Sequence, residues 1–231
     1  MRIRIRFEKE GSLRFIGHLD IMRYFHKALQ RAHVAVCFSG GYHPHPVMSF
    51  ASPLGVGLTS RGEYMDVEVE ETASSREMIE RINATMVEGI RVTGYRLLPE
   101  DEGRKHHNAM ATVGMADYLV KLKETRPSSE DKWEADIAHF LARPEIIVTK
   151  KTKKSQEETD IRPWVYEFRR EPEEDAFFLR LSAGSLKNLK PELVMEAFLG
   201  APCSRRNLAI CRVDLRSAEG VSLGNLGEEI S

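Results

Sequence analysis

The chain has 231 residues, of which 42% are hydrophobic and 30% are charged, which suits one large soluble domain or two small ones. No stretch approaches the roughly 20 apolar residues that span a bilayer, and the N-terminus lacks a signal-peptide core, so we predict a cytoplasmic protein with no membrane partner. The three cysteines are far apart and have no CxxC spacing, which argues against a disulfide scaffold and a structural zinc site.

The charge is unevenly distributed along the chain. The formal net charge is −1, so the whole protein is not a polycation. Residues 1–50, however, hold eight Lys or Arg against three Asp or Glu, together with five of the eight histidines. A local basic patch of this kind permits binding to a polyanion.

The first half of the chain predicts the element order β-α-β-β-α-β. Residues 2–8 alternate as in a strand, and the helix at 19–32 has one apolar face. Ser74 or Ser75 is a good N-cap for the second helix. The predicted elements are strands at 2–8, 46–52, 64–70 and 90–97 and helices at 19–32 and 75–87. This order is the ferredoxin-like pattern.

The second half repeats this theme in element order, although its sequence does not visibly repeat the first. The predicted elements are strands at 116–123, 145–149, 164–170, 177–182 and 208–216, helices at 128–141 and 191–199, and a charged turn at 150–159. We therefore predict an α+β fold of two tandem ferredoxin-like units. The predicted domains are a first unit at 1–98, a linker at 99–115, a second unit at 116–217 and a flexible tail at 218–231.

The most informative segment lies at residues 38–50 and reads FSGGYHPHPVMSF. His43 and His45 each precede a proline, which favours extended backbone at both histidines. Gly40 and Gly41 allow a sharp turn or a close approach to a ligand. This combination indicates a recognition or catalytic loop, with a rigid structural turn as the alternative.

Several motifs resemble a bacterial family of radical-SAM-associated proteins, a domain of unknown function. The resemblance extends from residue 1 to about residue 200, and Gly17 departs from it, since the family more often has Ser there. The matching motifs are LRFIGHLDIMR at 13–23, GYHPHPVMSF at 41–50, EYMD at 63–66, DIRP at 160–163 and GSLKNLKPE at 184–192.

The resemblance implies a role in RNA metabolism beside a radical-SAM partner. Such domains occur alone or appended to cobalamin-binding-type radical-SAM proteins, and some are joined to ribonuclease G-like proteins. The implied RNA is ribosomal or transfer RNA, and the radical chemistry would belong to the partner. The chain lacks the CxxxCxxC signature that holds the radical-SAM cluster, so we expect it to carry no cofactor.

The candidate RNA-binding residues combine cations, imidazoles and an aromatic ring. Basic side chains suit phosphates, and aromatic or imidazole rings suit stacked bases. For each one, an ordinary solvated or core position is the structural alternative. The candidates are Arg14, His18, Arg23, Lys27, Tyr42, His43, His45, Lys151, Lys154, Arg162 and Lys187.

Three histidines are also candidates for acid and base chemistry, because imidazole titrates near neutral pH. They are His18, His43 and His45. His43 and His45 alternate, so an extended chain points them to opposite faces, and we predict no metal site.

Three functions remain open from the sequence. The first hypothesis is a non-catalytic accessory protein that binds RNA or presents it to a radical-SAM partner. The second is a metal-independent endoribonuclease that uses the histidines. The third is a protein-docking module without RNA contact, with the acidic segments 63–71 and 171–175 as its docking face.

Overall fold

The structure is a computed structural model that describes residues 1–99, 109–123, 130–151, 156–185 and 187–231. The chain divides into two units. Unit 1 comprises residues Met1–Gly114 and Arg212–Ser231, and unit 2 comprises Met115–Cys211. Unit 2 is therefore inserted between two stretches of chain that fold together.

Unit 1 contains the predicted β-α-β-β-α-β order. A short 3-10 turn at Gly11–Phe15 precedes the first helix, and a four-residue helix follows the last strand of the series. The elements are β1 (Arg2–Lys9), α1 (His18–Arg31), β2 (Met48–Phe50), β3 (Thr59–Glu68), α2 (Ser75–Asn83), β4 (Ile90–Leu97) and α3 (Ala109–Thr112).

The sheet of unit 1 has β1 at its centre. β1 pairs antiparallel with β3 on one side and with β4 on the other, and β2 pairs antiparallel with β3. The resulting order β4-β1-β3-β2 is compatible with the predicted ferredoxin-like unit.

Alternation in β1 sets the core of unit 1. Ile3, Ile5 and Phe7 are all buried, as side chains on one face of a strand should be. Phe7 lies 4.6 Å from Phe25 of α1 between ring centroids, and Phe50 of β2 meets both rings edge-on. The apolar stripe predicted for the first helix is thus the face that α1 buries.

Unit 2 contains a group of antiparallel strands and a separate two-stranded hairpin. β5 pairs antiparallel with β9, and β9 with β8, while β6 pairs with β7. The elements are β5 (Met115–Leu122), α4 (Glu130–Leu141), β6 (Ile147–Lys151), β7 (Gln156–Asp160), β8 (Val165–Glu171), β9 (Ala176–Ser182), α5 (Pro191–Leu199) and β10 (Leu208–Arg216), the last of which ends in unit 1.

The order in unit 2 resembles that in unit 1. The backbone N–H of Lys123, after β5, donates to the carbonyl of Asn207, before β10, so β10 begins beside β5. The order β10-β5-β9-β8 then matches β4-β1-β3-β2, with the β6–β7 hairpin inserted after α4. Tandem ferredoxin-like units are compatible with this arrangement, and the α+β class is confirmed.

Several predicted boundaries differ from those of the structure. β3 begins at Thr59 rather than residue 64, and α2 ends at Asn83 rather than residue 87. The Asn83 side chain donates to Val92 O and accepts from Val92 N, so it binds β4 where the helix stops. The charged turn predicted at 150–159 is shorter, because β6 and β7 extend into it.

The segment after Ser217, predicted as a flexible tail, contacts the rest of unit 1. Leu223 is fully buried, within a 3-10 turn at Leu223–Asn225. Glu228 exchanges two backbone hydrogen bonds with Leu97, and the carbonyl of Ile230 accepts from Ser75 N. Among the described residues, no helix is long and apolar enough to cross a membrane.

Candidate nucleic-acid interface

Residues 37–47, which include the HPHP sequence at 43–46, form a hairpin-like loop in unit 1. The backbone N–H of Ser39 donates to His45 O, and that of Val47 donates to Cys37 O. Gly41 adopts φ 102° at the tip, a left-handed conformation that glycine accommodates without strain. The loop is therefore held at its base and turns at the predicted glycine.

One side chain of the loop locks its own backbone. The Ser39 hydroxyl lies 2.8 Å from His45 Nδ1 and accepts from the backbone N–H of His45 at 3.1 Å. His43 and Tyr42 lie at the tip and are exposed. His45 is thus partly committed to the loop structure, whereas His43 and Tyr42 face solvent.

A ring contact connects this loop to α1. The ring of Phe38 meets that of His26 edge-on, with 6.3 Å between centroids. His26 lies about one turn beyond Arg23 and two turns beyond Leu19 on the helix, so this face of α1 continues into the loop.

Large apolar side chains are exposed on the 3-10 turn before α1, on α1 and on the loop. Tyr42 is fully exposed, and Phe15, Leu19 and Phe38 are each more than half exposed. We call the region the α1 surface and define it as the exposed side chains of Gly11–Phe15, of α1, and of residues 38–45. Exposed apolar residues gathered in one patch mark interaction sites more often than scattered ones do.

Cations lie among these apolar groups. Arg14, Arg23 and Lys27, the three candidates for phosphate contacts in this part of the sequence, are exposed. The guanidinium of Arg14 lies 4.8 Å from the centroid of the Phe15 ring. Arg23 Nη1 lies 3.5 Å from the exposed Asp20 carboxylate, a surface pair that contributes little stability and leaves Arg23 accessible.

A buried charge cluster lies beside the start of α1 and is defined by Lys9, Glu63 and Arg212. All three side chains are at least 95% buried. Arg212 Nε donates to Glu63 Oε1 at 2.7 Å, and its Nη2 binds both the second carboxylate oxygen and the carbonyl of Ser52. Lys9 Nζ donates to Ile16 O at 3.3 Å. Two buried cations therefore lie beside one buried carboxylate.

His18 connects this cluster to the α1 surface. It is the first residue of α1, its ring meets Phe50 edge-on at 5.4 Å, and it lines a small cavity together with Lys9 and Glu63. Burial lowers the pKa of His18, the Glu63 carboxylate raises it, and Arg212 and Lys9 lower it further. The imidazole is thus held toward its neutral form, which can both donate and accept a hydrogen bond.

The pKa of Lys9 is lowered for the same physical reasons. Burial lowers it most, the Glu63 carboxylate raises it, and the Arg212 guanidinium lowers it further. Perturbed titrating groups in a cleft are common at functional sites and also occur in structural ion-pair networks.

One known protein family matches most of the chain. Residues 2–191 match the model of a bacterial family, DUF2344, described as an uncharacterized protein conserved in bacteria. The chain belongs to this family. No curated protein matches it.

The matched DUF2344 region includes both the α1 surface and most of the buried charge cluster. Arg14, His18, Arg23, Lys27, Tyr42, His43 and His45 all lie in unit 1, on or beside the α1 surface. Within the described residues, no hydrogen bond or ring contact joins His18 to the two loop histidines. No group of three potential metal ligands occurs in the described ranges.

The other four candidates of the DUF2344 chain lie in unit 2. Lys151 ends β6, and Lys154 lies outside the described residues. Lys187 is exposed. Arg162 begins a 3-10 turn, although the proline that follows it favours extended backbone, and its Nε donates to Leu141 O at 2.9 Å. It therefore helps to terminate α4.

Sequence reasoning missed the buried charge cluster in this DUF2344 chain. Lys9 is assigned no role by the sequence-based predictions, which place Glu63 in an acidic docking segment, and Arg212 lies 149 residues beyond Glu63. The available signal was the EYMD motif at 63–66, which the resemblance singled out. Glu63 and Asp66 are both buried in arginine pairs, so this part of the acidic segment 63–71 is not an exposed docking face.

Proposed function

We propose that the protein binds single-stranded RNA through the α1 surface and presents it to a radical-SAM partner. The observation that carries the proposal is the combination of exposed rings and exposed cations in one region of unit 1. Four large apolar side chains and three basic side chains lie there, within one family-matched segment.

The chemistry of RNA recognition favours this combination. Unpaired bases stack on aromatic rings, and this sequence-tolerant contact suits Tyr42 and Phe38. Arg14, Arg23 and Lys27 supply charge for the phosphates between the bases. A double helix hides the faces of its bases, so the exposed rings favour a single strand, loop or RNA end.

The radical-SAM partner in this proposal comes from the sequence resemblance. Cys37, Cys203 and Cys211 lack the cluster-binding spacing, so the proposal assigns the radical chemistry to the partner. The chain would hold ribosomal or transfer RNA in place while the partner modifies it.

A binding titration tests the proposal. A fluorescently labelled single-stranded RNA is titrated with wild type, with Phe38→Ala/Tyr42→Ala and with Arg14→Glu/Arg23→Glu/Lys27→Glu. Loss of one stacked base weakens binding about five- to one-hundred-fold. Each lost phosphate contact reduces the slope of log affinity against log salt by about 0.7.

Two control variants match these changes outside the α1 surface. Tyr166→Ala removes an exposed ring from unit 2, and Arg206→Glu reverses an exposed charge there. Both should bind like wild type. Equal losses in the control and test variants would contradict the proposal, as would wild-type binding that does not saturate. Retained co-purification with a radical-SAM protein in the absence of RNA binding would favour the docking-module hypothesis instead.

One observation favours RNA cleavage as a second candidate function. His18 lies beside Lys9 and Glu63, and its lowered pKa maintains a neutral imidazole that can act as a base. Purified wild type should then shorten a labelled RNA in the presence of a chelator, whereas His18→Gln should not. Intact RNA after prolonged incubation with wild type would exclude this function.

A further inference from the structure

A second region of unit 1 carries arginines on the sheet face opposite the buried isoleucines of β1. Arg4 and Arg6 are two residues apart in β1, so their side chains leave the same face. Arg4 lies opposite Arg96 of β4, and Arg6 lies opposite Gly94. This face is therefore rich in guanidinium groups at the β4 side of the sheet.

A cavity of about 450 Å³ lies at this position. Its size falls within the range of about 300–1,000 Å³ that is typical of small-molecule sites. β1, β4, the first turns of α2 and the C-terminal segment all contribute to its walls. The lining includes Arg4, Arg6, Thr93, Gly94 and Arg96, and no residue of the α1 surface lines the cavity.

Three of the lining residues have a buried polar atom without a protein partner. They are Nη1 of Arg4, Nε of Arg6 and Oγ1 of Thr93. A buried donor without an acceptor is unfavourable, and such groups in folded proteins are nearly always satisfied by protein, water or ligand. All three can donate to an oxyanion.

The arginines around the cavity differ in whether a carboxylate neutralises them. Arg4 forms a bidentate pair with Asp66, and Arg96 Nη1 lies 3.3 Å from Glu229. Arg6 has no carboxylate partner among the described residues, and its Nη2 donates only to the carbonyl of Arg61 at 3.3 Å. Within the described part of the chain, the guanidinium of Arg6 thus has no neutralising carboxylate beside it.

Glycine at position 94 keeps the space above Arg6 open. A Cβ atom there would lie 3.1 Å from Cβ of Arg6, a contact tighter than ordinary packing. Since the backbone of Gly94 needs no left-handed conformation, the reason for glycine is space. The side chain of Arg6 and any group bound to it can therefore lie across the strand.

We propose that this cavity binds a small organic phosphate, with the phosphate on Arg6 and Thr93. A phosphate offers several acceptor oxygens for the three unsatisfied donors, and the planar guanidinium fork matches two of them at once. The remaining volume accommodates an organic group about as large as a nucleoside. This site is independent of the RNA proposal, because the two share no residue.

Calorimetric titration with adenosine monophosphate and with inorganic phosphate tests the site in the full chain. Arg6→Gln should weaken binding of the monophosphate about ten- to one-hundred-fold, because a charge-assisted hydrogen bond is lost. The matched control is Arg91→Gln, which removes an exposed arginine of the neighbouring strand β4, outside the cavity. It should bind like wild type.

A second, near-isosteric variant keeps the site testable if Arg6→Gln fails to fold. Thr93→Val removes the unpaired hydroxyl while it keeps the shape of the side chain, so the ligand-free protein should be at least as stable as wild type. Its affinity for the monophosphate should fall about two- to tenfold.

Three results would overturn the proposal. They are a wild-type protein without saturable binding of adenosine monophosphate, Thr93→Val and Arg6→Gln variants that bind like wild type, and an Arg91→Gln variant that loses as much affinity as Arg6→Gln. Equal affinity for inorganic phosphate and the monophosphate would refute recognition of the organic group.

Discussion

Glu63→Gln is the most informative perturbation of the buried charge cluster. The substitution changes almost no volume but removes the negative charge from the cluster of Lys9, Glu63 and Arg212, and it breaks the buried pair between Glu63 and Arg212. Breaking a buried ion pair by removing one partner costs about 3–5 kcal/mol. For a protein of this size, such a loss lowers Tm by about 6–20 °C.

Arg212→Met should be milder, although it changes shape more. It leaves one cation, Lys9, and one carboxylate, Glu63, so the buried charge remains balanced. The predicted order of stability is therefore wild type, then Arg212→Met, then Glu63→Gln. In the Glu63→Gln background, Lys9→Met should recover stability, because it removes a buried cation that repels Arg212 once the carboxylate is gone.

The effect of pH on Glu63→Gln gives an independent check. Burial already lowers the pKa of Lys9 in the folded protein, and the Glu63 carboxylate is the group that raises it. Loss of Glu63 lowers this pKa further below that of the unfolded chain. The folded state then releases the proton first, so the stability lost at neutral pH should return as pH rises toward 10.5.

Urea denaturation followed by circular dichroism and by tryptophan fluorescence measures these differences. Both tryptophans, Trp133 and Trp164, lie in unit 2, so a transition that moves in circular dichroism before fluorescence assigns the loss to unit 1. The reasoning is refuted if Arg212→Met is less stable than Glu63→Gln, or if Lys9→Met gives no recovery.

Three smaller changes test the pH response of α1, the core of unit 1 and the start of α2. The pKa of His18 is lowered in the folded protein, so the contribution of neutral His18 to stability is present above pH 6.5 and is lost as pH falls below that value. His18→Gln should therefore reduce the change in the urea midpoint between pH 7 and pH 5. Phe25→Ala removes a fully buried ring that meets Phe7 and Phe50, and calorimetry should show a loss of about 3–5 kcal/mol. Ser74 accepts from the backbone N–H of Glu77, so Ser74→Ala should lower the free energy of unfolding by about 1 kcal/mol, whereas an unchanged value would show that the cap is dispensable.

The elements that sequence reasoning predicted best are those with strong local signals. α1 and α5 carry clear boundaries, since an apolar face marks the first and Pro191 begins the second. The strands at Ile90–Leu97 and Leu208–Arg216 also have the predicted limits. In each case, the periodicity or the cap lies within the element itself.

The start of β3 shows why other boundaries were missed. Ser60 and Glu63 are polar, so the alternation of apolar residues that identifies a strand begins only at Tyr64. In the structure both are buried, because the hydroxyl of Ser60 donates to Arg212 O and the carboxylate of Glu63 binds the Arg212 side chain. A strand whose inward residues are satisfied by a distant partner has no local hydrophobic signature.

The candidate sites also divide into those with a local sequence signal and those without one. The HPHP loop and the basic residues of α1 could be predicted because their chemistry lies in contiguous motifs. The buried charge cluster and the arginine cavity could not, because each combines residues from β1 with residues far along the chain. Alternation in β1 identified the side of the strand on which Arg4 and Arg6 lie, but not the cavity above them.

The insertion of unit 2 within unit 1 affects how the protein is made. A ribosome completes Glu63 149 residues before it reaches Arg212. At a synthesis rate of about 5–20 residues per second, Arg212 is added about 7–30 s after Glu63. The interval between Tyr64 and Asp214 is equally long, and in the folded protein the Tyr64 hydroxyl donates to Asp214 Oδ1 at 2.5 Å. During that interval the nascent first unit has its apolar core but lacks these polar partners, so its final consolidation depends on release of the last segment of the chain.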